Sequence, residues 1–412
     1  MQDKRGNTFR PSPLSFGRRH FIGAAATGAA VALLPGVSTA DTLPPPLPGT
    51  SVSSTLPSKD SVVAAVNLVN GSWINQRPLP KTPTNTWDWA TYFSGNIAAY
   101  RVIKNQQFLD YARAWAQQNN FALYGGDTTR TPDNQCAGQA YFDLYDIDKD
   151  KADVESIVAS VTTVAKKPIL NSDWTFVDQL HMAMPSFVRV ANYTNDSSIL
   201  DGMFSLYMNL KETQKLYDYD YGLWYRDRNY IWPTGSRSKS PNGKRVFWSR
   251  GNGWAFAAQA KVLGLLPSYD DKYKKWPDYY HNLQNMAVTL KSVQRSDGFW
   301  NANLADPNDH GGPETSGTAL FAFGLAYAIR TGLIDKTTYL PVLAKAWNGM
   351  ATTAVQPGGF LGYVEGSGQA PEQDNHNPVT AASTANFGVG AFLLAGAEIA
   401  KLVEPTLDQS MA

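Results

Sequence analysis

Apolar residues recur at helical spacing along nearly the whole chain after about Asp60, and this restricts the fold more than any other feature. The periodicity predicts helices at approximately 61–76, 88–104, 107–119, 135–146, 150–166, 174–193, 196–216, 252–266, 271–295, 315–331, 336–353 and 382–402. Strand-like alternation is confined to short pieces between them. Thr86, Asp133, Ser316 and Thr337 stand at or near helix starts, where a side-chain oxygen can accept from unpaired backbone N–H groups. Twelve consecutive helices with alternating short and long connections predict six hairpins that stack and close on themselves. The expected fold class is all-α, an (α/α)6 barrel in a single domain over residues 59–405.

A weak internal repeat points the same way. Gly222-Leu223-Trp224-Tyr225, Gly298-Phe299-Trp300 and Gly359-Phe360-Leu361-Gly362-Tyr363 each follow a long predicted helix and open an irregular, polar-rich connection. Units repeated at a long period mark arrays of helical hairpins. If the three are equivalent, they share one face of the barrel, and functional residues concentrate on such loops over a rigid scaffold. Gly–aromatic pairs also arise by coincidence in a Trp-rich chain, so the repeat stands as an expectation.

Charge and composition narrow the ligand. Lys and Arg total 36 against 35 Asp and Glu, and no basic run follows the N-terminus. Nucleic acid is not expected as a partner, nor a channel for a long polyanion; small or singly charged substrates fit better. Aromatic residues reach 12%, with 12 Trp and 20 Tyr. Their flat apolar faces and polar edges match the C–H faces and hydroxyl rims of sugars, although most such rings fill the core of a large helical protein. Cys136 is the single cysteine, so no intramolecular disulfide forms. The histidines at 20, 181, 281, 310 and 376 are too scattered for a local metal motif. Asp146, Asp148 and Asp150 lack the Gly and closing Glu of a calcium loop and read as a solvated turn. No metal and no cofactor is expected.

The N-terminus reads as an address. Arg18 and Arg19 precede a short apolar stretch from Phe21 to Leu34, and Ser38-Thr39-Ala40 supplies small residues for cleavage. This order predicts a secretory signal over 1–40, and the Arg pair before Phe21 resembles a twin-arginine signal. The apolar stretch is shorter than the roughly 20 residues a membrane span needs, so no stable membrane insertion is expected after processing. Residues 41–58 then form a Pro/Ser-rich linker, expected to lie outside the fold. The predicted location is periplasmic or secreted.

Four constellations can carry chemistry. In Trp174-Thr175-Phe176-Val177-Asp178-Gln179-Leu180-His181-Met182-Ala183-Met184-Pro185, one carboxylate sits within an apolar stretch. On a helix, Asp178 would share a face with Trp174 and His181. Poor hydration raises a carboxyl pKa, which suits a general acid; a structural Asp is the alternative. In Asp133-Asn134-Gln135-Cys136-Ala137-Gly138-Gln139, Asp133 reads first as a helix cap, while the cluster also suits sugar hydroxyls. Trp248-Ser249-Arg250-Gly251-Asn252-Gly253-Trp254 reads as a loop before a helix. Arg250 offers a planar fork able to grip a carboxylate, between two tryptophans with stacking faces. Finally, Glu314 follows Asp297-Gly298-Phe299-Trp300 and Gly311-Gly312-Pro313, and either caps the helix it opens or closes a pocket floor.

Together with DGFWNANL near 297 and the final stretch Asn386–Ala395, these motifs resemble the unsaturated rhamnogalacturonyl hydrolases of glycoside hydrolase family 105, close to the unsaturated glucuronyl hydrolases of family 88. The similarity spans about residues 60–402. It implies an (α/α)6 barrel acting on an oligosaccharide whose terminal uronic acid carries a C4=C5 double bond left by a polysaccharide lyase. A carboxylic acid protonates C4, water adds at C5, and the resulting hemiketal opens. By motif position Asp178 matches the family's acid/base, and Asp133 a second acid that holds the sugar and positions water. Trp248, Arg250 and Trp254 match substrate-contacting positions; Asn134, His181, Arg226 and Glu314 complete the candidate set. The chain departs from the family where a His is expected before the WxxD segment, here Asn171-Ser172-Asp173, and after the Gly–aromatic turn, here Arg226. His181 could compensate or simply pack a helix.

The substrate class implied first is an unsaturated galacturonyl unit on rhamnose, from pectin. The alternative is an unsaturated glucuronyl unit from ulvan or another glucuronan. An inactive glycan-binding relative, an α/α-barrel lyase and an ordinary two-acid glycosidase are the competing functions. A lyase would create the enol-ether absorbance that a hydrolase consumes.

Overall fold

A computed structural model describes residues 43, 49–79, 81, 84–266, 276–368, 371 and 379–403. The chain is helical throughout, with one two-stranded antiparallel ribbon among the described residues, β1 (Tyr217–Asp218) against β2 (Leu223–Trp224). Helices α1 (Lys59–Gln76), α2 (Trp87–Ile103) and α3 (Gln106–Gln118) are followed by the single turn α4 (Pro132–Gln135) and by α5 (Ala137–Asp148). Then come α6 (Glu155–Ala165), α7 (Gln179–Thr194), α8 (Ser198–Met208), α9 (Ser249–Leu265), α10 (Trp276–Ser292), α11 (Thr315–Arg330), α12 (Lys336–Gly349) and α13 (Asn386–Leu402).

Packing sorts these helices into two concentric rings. α2, α5, α7, α9, α11 and α13 each contact the next, and α13 returns to α2, closing an inner ring of six. α1, α3, α6, α8, α10 and α12 lie outside, each against an inner neighbour. This is the expected (α/α)6 barrel. The inner helices are buried almost all round, as a helix between two layers must be. Small residues let them approach. A Cβ on Gly95 of α2 would lie 2.2 Å from the Gly390 carbonyl oxygen of α13, so only glycine fits that crossing. Among the described residues no helix is long and apolar enough to cross a membrane.

Alternation of outer and inner helices fixes where the loops go. Short connections such as 104–105, 195–197 and 331–335 follow inner helices. The long ones follow outer helices and lead to the N-terminus of the next inner helix. The Gly–aromatic repeat is therefore structural. Gly222, Gly298 and Gly359 each adopt a left-handed φ, at 64°, 86° and 87°, in an outer-to-inner connection, and all three connections lie at one end of the barrel. In two of them the backbone is superimposable in kind: Arg295 N–H donates to the Phe299 carbonyl, and Gln356 N–H to the Phe360 carbonyl.

Several local expectations change. The helix expected from 174 starts at Gln179; Trp174 has a φ of 41° and lies in the preceding turn, so Asp178 immediately precedes α7 instead of sharing a helical face with Trp174. α9 starts at Ser249, which turns the expected loop Arg250–Trp254 into the first helical turns. Helix 382–402 starts at Asn386, and α8 and α12 end in π-turns, Asn209–Thr213 and Met350–Ala354. Asp146, Asp148 and Asp150 are exposed, as expected, but Asp146 and Asp148 belong to the last turn of α5 and pair with Arg101, Arg189 and Arg113. The linker is also revised over 49–58: Gly49 N–H donates to Ser296 Oγ at 2.8 Å, Asn348 Nδ2 donates to the Ser53 and Thr55 carbonyls, and Ser58 caps α1. The expected signal over 1–40 lies outside the described residues.

Candidate active site

Because the inner helices run parallel, their N-termini gather at the end that carries the long loops. Each contributes partial positive charge from unpaired N–H groups, so this mouth favours an anion. The opposite end holds a cavity of about 220 Å³ whose lining includes Arg101, Asp143, Arg189, Lys261, Arg330 and Glu398. There Arg101 and Arg330 lie in the last turns of α2 and α11 and offset the opposite dipole.

Asp178 stands at the mouth as the N-cap residue of α7, with its side chain 14% exposed. Its position depends on the turn before it. Gln214 Nε2 donates to the Trp174 carbonyl, which secures the left-handed residue, and Gln179 Oε1 accepts from Thr175 and Phe176 N–H. Asp173 pairs with Arg130 and ties down the same connection where the family pattern has His. Asp178 makes no side-chain cap bond, and its Oδ2 is buried without a hydrogen-bond partner. Burial raises its pKa, Arg226 and Arg250 oppose that, and Asp227 adds to it.

Asp133 is the second residue of α4, after Pro132; the cap position belongs to Thr131, so the cap reading of Asp133 does not hold. Burial and then the Asp178 charge push its carboxyl up to about 6, against Arg226. Asp133 thus resists ionising beside the Asp178 charge. Asn134 follows, half-buried, its Nδ2 donating to Thr129 Oγ1 at 2.9 Å.

Arg226 completes this group. Val177 N–H donates to the Arg226 carbonyl at 2.9 Å, which lays the segment after β2 beside the Asp178 turn. The guanidinium lies over the Phe176 ring at 4.3 Å, and its Nη1 donates to Asp227 Oδ2 at 2.6 Å. Its Nε lies 4.0 Å from Asp178 Oδ2 and is likewise buried with no hydrogen-bond partner.

Arg250 sits elsewhere in function. Nη1 donates to the Glu365 carbonyl at 3.0 Å and to Glu365 Oε2 at 3.1 Å, and Nη2 to the carbonyls of Gly366 and Gly368 at 2.7 and 3.0 Å. With 1% of its side chain exposed, it clamps the 365–368 segment and has no terminal nitrogen left to grip a substrate carboxylate. The sequence could not show this because Glu365 is 115 residues away. Trp248 stacks on Arg250 at 4.5 Å and donates from Nε1 to Glu365 Oε2 at 2.9 Å. Trp254 is fully buried, wedged between Trp87 and His181. Neither tryptophan offers the stacking face expected of it.

His181 is a packing residue, its ring 4.8 Å from that of Trp254; burial, helped by Lys261, holds it neutral. Glu314 caps α11, accepting from Ser316 and Gly317 N–H at 2.8 and 2.7 Å, and from Glu365 N–H at 3.2 Å. It therefore builds the mouth and does not face a ligand. The structure adds Trp87, half-buried at the start of α2 and 5.0 Å from Phe387 of α13, together with Phe176, Asp227 and Glu365. Trp87-Asp88-Trp89 at a helix start was a readable signal for the first; nothing local marks Glu365.

The arrangement is a pair of carboxyls whose pKa values are raised by burial, beside a cation with an unused donor, at an anion-favouring mouth edged by aromatic rings. The profile of Glycosyl Hydrolase Family 88 matches residues 65–403. An unsaturated 3S-rhamnoglycuronyl hydrolase of Formosa agariphila is 30% identical over 355 residues, 81% of this chain and 89% of that protein. A Bacteroides vulgatus structure described as glycosyl hydrolase family 88 superposes with a TM-score of 0.75 at 33% identity, covering 84% of this chain and all of that one. A structure described as a polysaccharide lyase does so equally, at 0.75 and 33%, covering 83% and 97%. By the extent of these matches the chain belongs to glycosyl hydrolase family 88 and is a glycoside hydrolase.

Proposed function

We propose that the enzyme removes a terminal 4,5-unsaturated uronic acid from lyase-generated oligosaccharides. The observation that carries this reading is the Asp133–Asp178 pair, two carboxyls raised by burial and placed beside Arg226 at one mouth. Protonated Asp178 gives its proton to C4. Water, held by Asp133, bonds to C5 and returns a proton to Asp178. The hemiketal then breaks its C5–O5 bond to a ketone, and the hemiacetal left at C1 releases the aglycone alcohol. One central acid suffices, unlike the two flanking carboxylates of ordinary glycosidases.

Introducing the C4=C5 bond erases the stereocentre that separates galacturonate from glucuronate. The pectin and ulvan alternatives therefore differ in the glycosidic linkage and in what it joins, not at C4. The name shared by the curated relatives supports rhamnose as the aglycone. We also propose export by the twin-arginine route with cleavage after Ala40, which mass spectrometry of the exported protein checks by its first residue, Asp41.

The test is the enol-ether absorbance on mixing with disaccharides made by lyases from pectin, ulvan, xanthan-type and glycosaminoglycan polymers. Loss of absorbance with release of the second sugar supports the reading. The likeness to a chain described as a lyase motivates the second reading, and a gain of absorbance on intact polymer would favour it.

A further inference from the structure

We infer that Arg226 is shared between Asp178 and the carboxylate of the substrate, so that the substrate itself releases Asp178 to hold the proton it must deliver. This rests on the reading of the enzyme as an unsaturated uronyl hydrolase. Arg250, the guanidinium suggested by its motif, is spent on Glu365, Gly366 and Gly368. Arg226 is placed otherwise. Its plane is held by Phe176 below and Asp227 at Nη1, while Nε is buried with no acceptor. The atom facing it, Asp178 Oδ2, is equally unsatisfied, and the 4.0 Å between them is too long for a hydrogen bond. Two buried, complementary and unmatched atoms mark a gap that a ligand oxygen would fill.

The charges around Asp178 come from four elements. Arg226 and Asp227 lie on the segment after β2, Arg250 on α9, Asp133 on α4 and His181 on α7. Arg250 is neutralised by Glu365, and His181 is neutral by burial. Arg226, with Nε 4.0 Å from Asp178 Oδ2, is the cation that most favours ionised Asp178 in the free enzyme, ahead of Arg250. A uronate carboxylate arriving at Arg226 competes for that cation and adds negative charge beside Asp178. Both effects raise the Asp178 pKa and load the acid when an anionic substrate is bound. A neutral sugar would leave Arg226 committed to Asp178 and the acid less ready to protonate C4.

Wild type, Arg226→Gln and Arg226→Lys are compared on the unsaturated uronyl-rhamnose and on its analogue with the carboxylate reduced to an alcohol, across pH 4–9. Wild type is expected to prefer the carboxylate by at least about 10²-fold in kcat/KM, as a site built for a polar group does. Its alkaline limb in kcat should lie about one pH unit or more above that in kcat/KM, since kcat reports the bound enzyme and kcat/KM the free enzyme. Arg226→Gln should lose at least about ten-fold of the preference, and its two limbs should coincide. Arg226→Lys keeps the charge without the fork and should retain the split in pH while losing preference, which keeps the test valid if the Gln variant fails to fold. An undiminished preference in both variants would overturn Arg226 as the reader. Coincident limbs in wild type would overturn the loading of Asp178. Failure of wild type to cleave the unsaturated disaccharide would instead remove the functional reading itself.

Discussion

The Glu365 carboxylate and the Arg250 guanidinium meet at 3.1 Å with 2% and 1% of their side chains exposed, joining the start of α9 to the connection that leads into α13. A buried pair of this kind is costly to break because the survivor is left charged without a partner. It also holds Trp248 through the same Oε2.

Arg250→Met should therefore destabilise the protein by about 3–5 kcal/mol. Pairing it with Glu365→Gln should recover a large part of that loss. Arg250→Lys should cost about 1–3 kcal/mol through lost bonds to the Gly366 and Gly368 carbonyls. Urea denaturation measures both. A Lys variant of wild-type stability but raised KM would restore Arg250 as a substrate contact.

Asp178→Asn should keep the fold and lose at least about 10²-fold in kcat, since an amide cannot deliver a proton. Asp178 makes no side-chain cap bond, so the exchange removes no cap of α7. Circular dichroism and steady-state kinetics check the two halves. Near-normal turnover would take Asp178 out of the mechanism.

Asp133 supplies a dependence of stability on pH. Its carboxyl titrates at about 6 in the fold, above the ordinary value of roughly 3.9. Between those values the folded chain binds more protons than the unfolded one, so stability falls as pH rises through this window and stays lower above it. Asp133→Asn removes the penalty. Relative to wild type it should gain of order 1–3 kcal/mol at pH 8 compared with pH 4, at about 1.4 kcal/mol per unit. Thermal or urea unfolding at the two pH values reads this; an equal offset at both would show that Asp133 is not raised.

The segment 49–58 should contribute stability although it precedes α1. Truncation after residue 40 keeps its contacts, whereas truncation after Pro57 loses the Ser296 and Asn348 bonds. Asn348→Ala alone should cost about 1 kcal/mol, because its two acceptors lie in exposed backbone. Equal unfolding midpoints for the two truncations would return this stretch to the role of a linker.

Helical periodicity and loop alternation by themselves determined the barrel, because a helix buries a stripe whose spacing is written locally. They also put the three Gly–aromatic turns on a shared face, whereas the structure brought Asp133 and Asp178 there by starting α7 at Gln179 and α4 at Pro132. The Gly–aromatic turns are legible for the same reason: a left-handed φ at Gly222, Gly298 and Gly359 is a demand of the turn itself. What each charge does was settled only in three dimensions. The Arg250 motif reads as a carboxylate grip until Glu365, 115 residues on, occupies it. Trp254 reads as a platform until Trp87 and His181 enclose it. Asp133 reads as a cap until Thr131 takes that position and burial, with the Asp178 charge, raises the Asp133 carboxyl across the mouth. Periodicity is a property of neighbours in the chain, whereas pairing, desolvation and an unmatched Nε belong to atoms that only folding brings within a few ångströms.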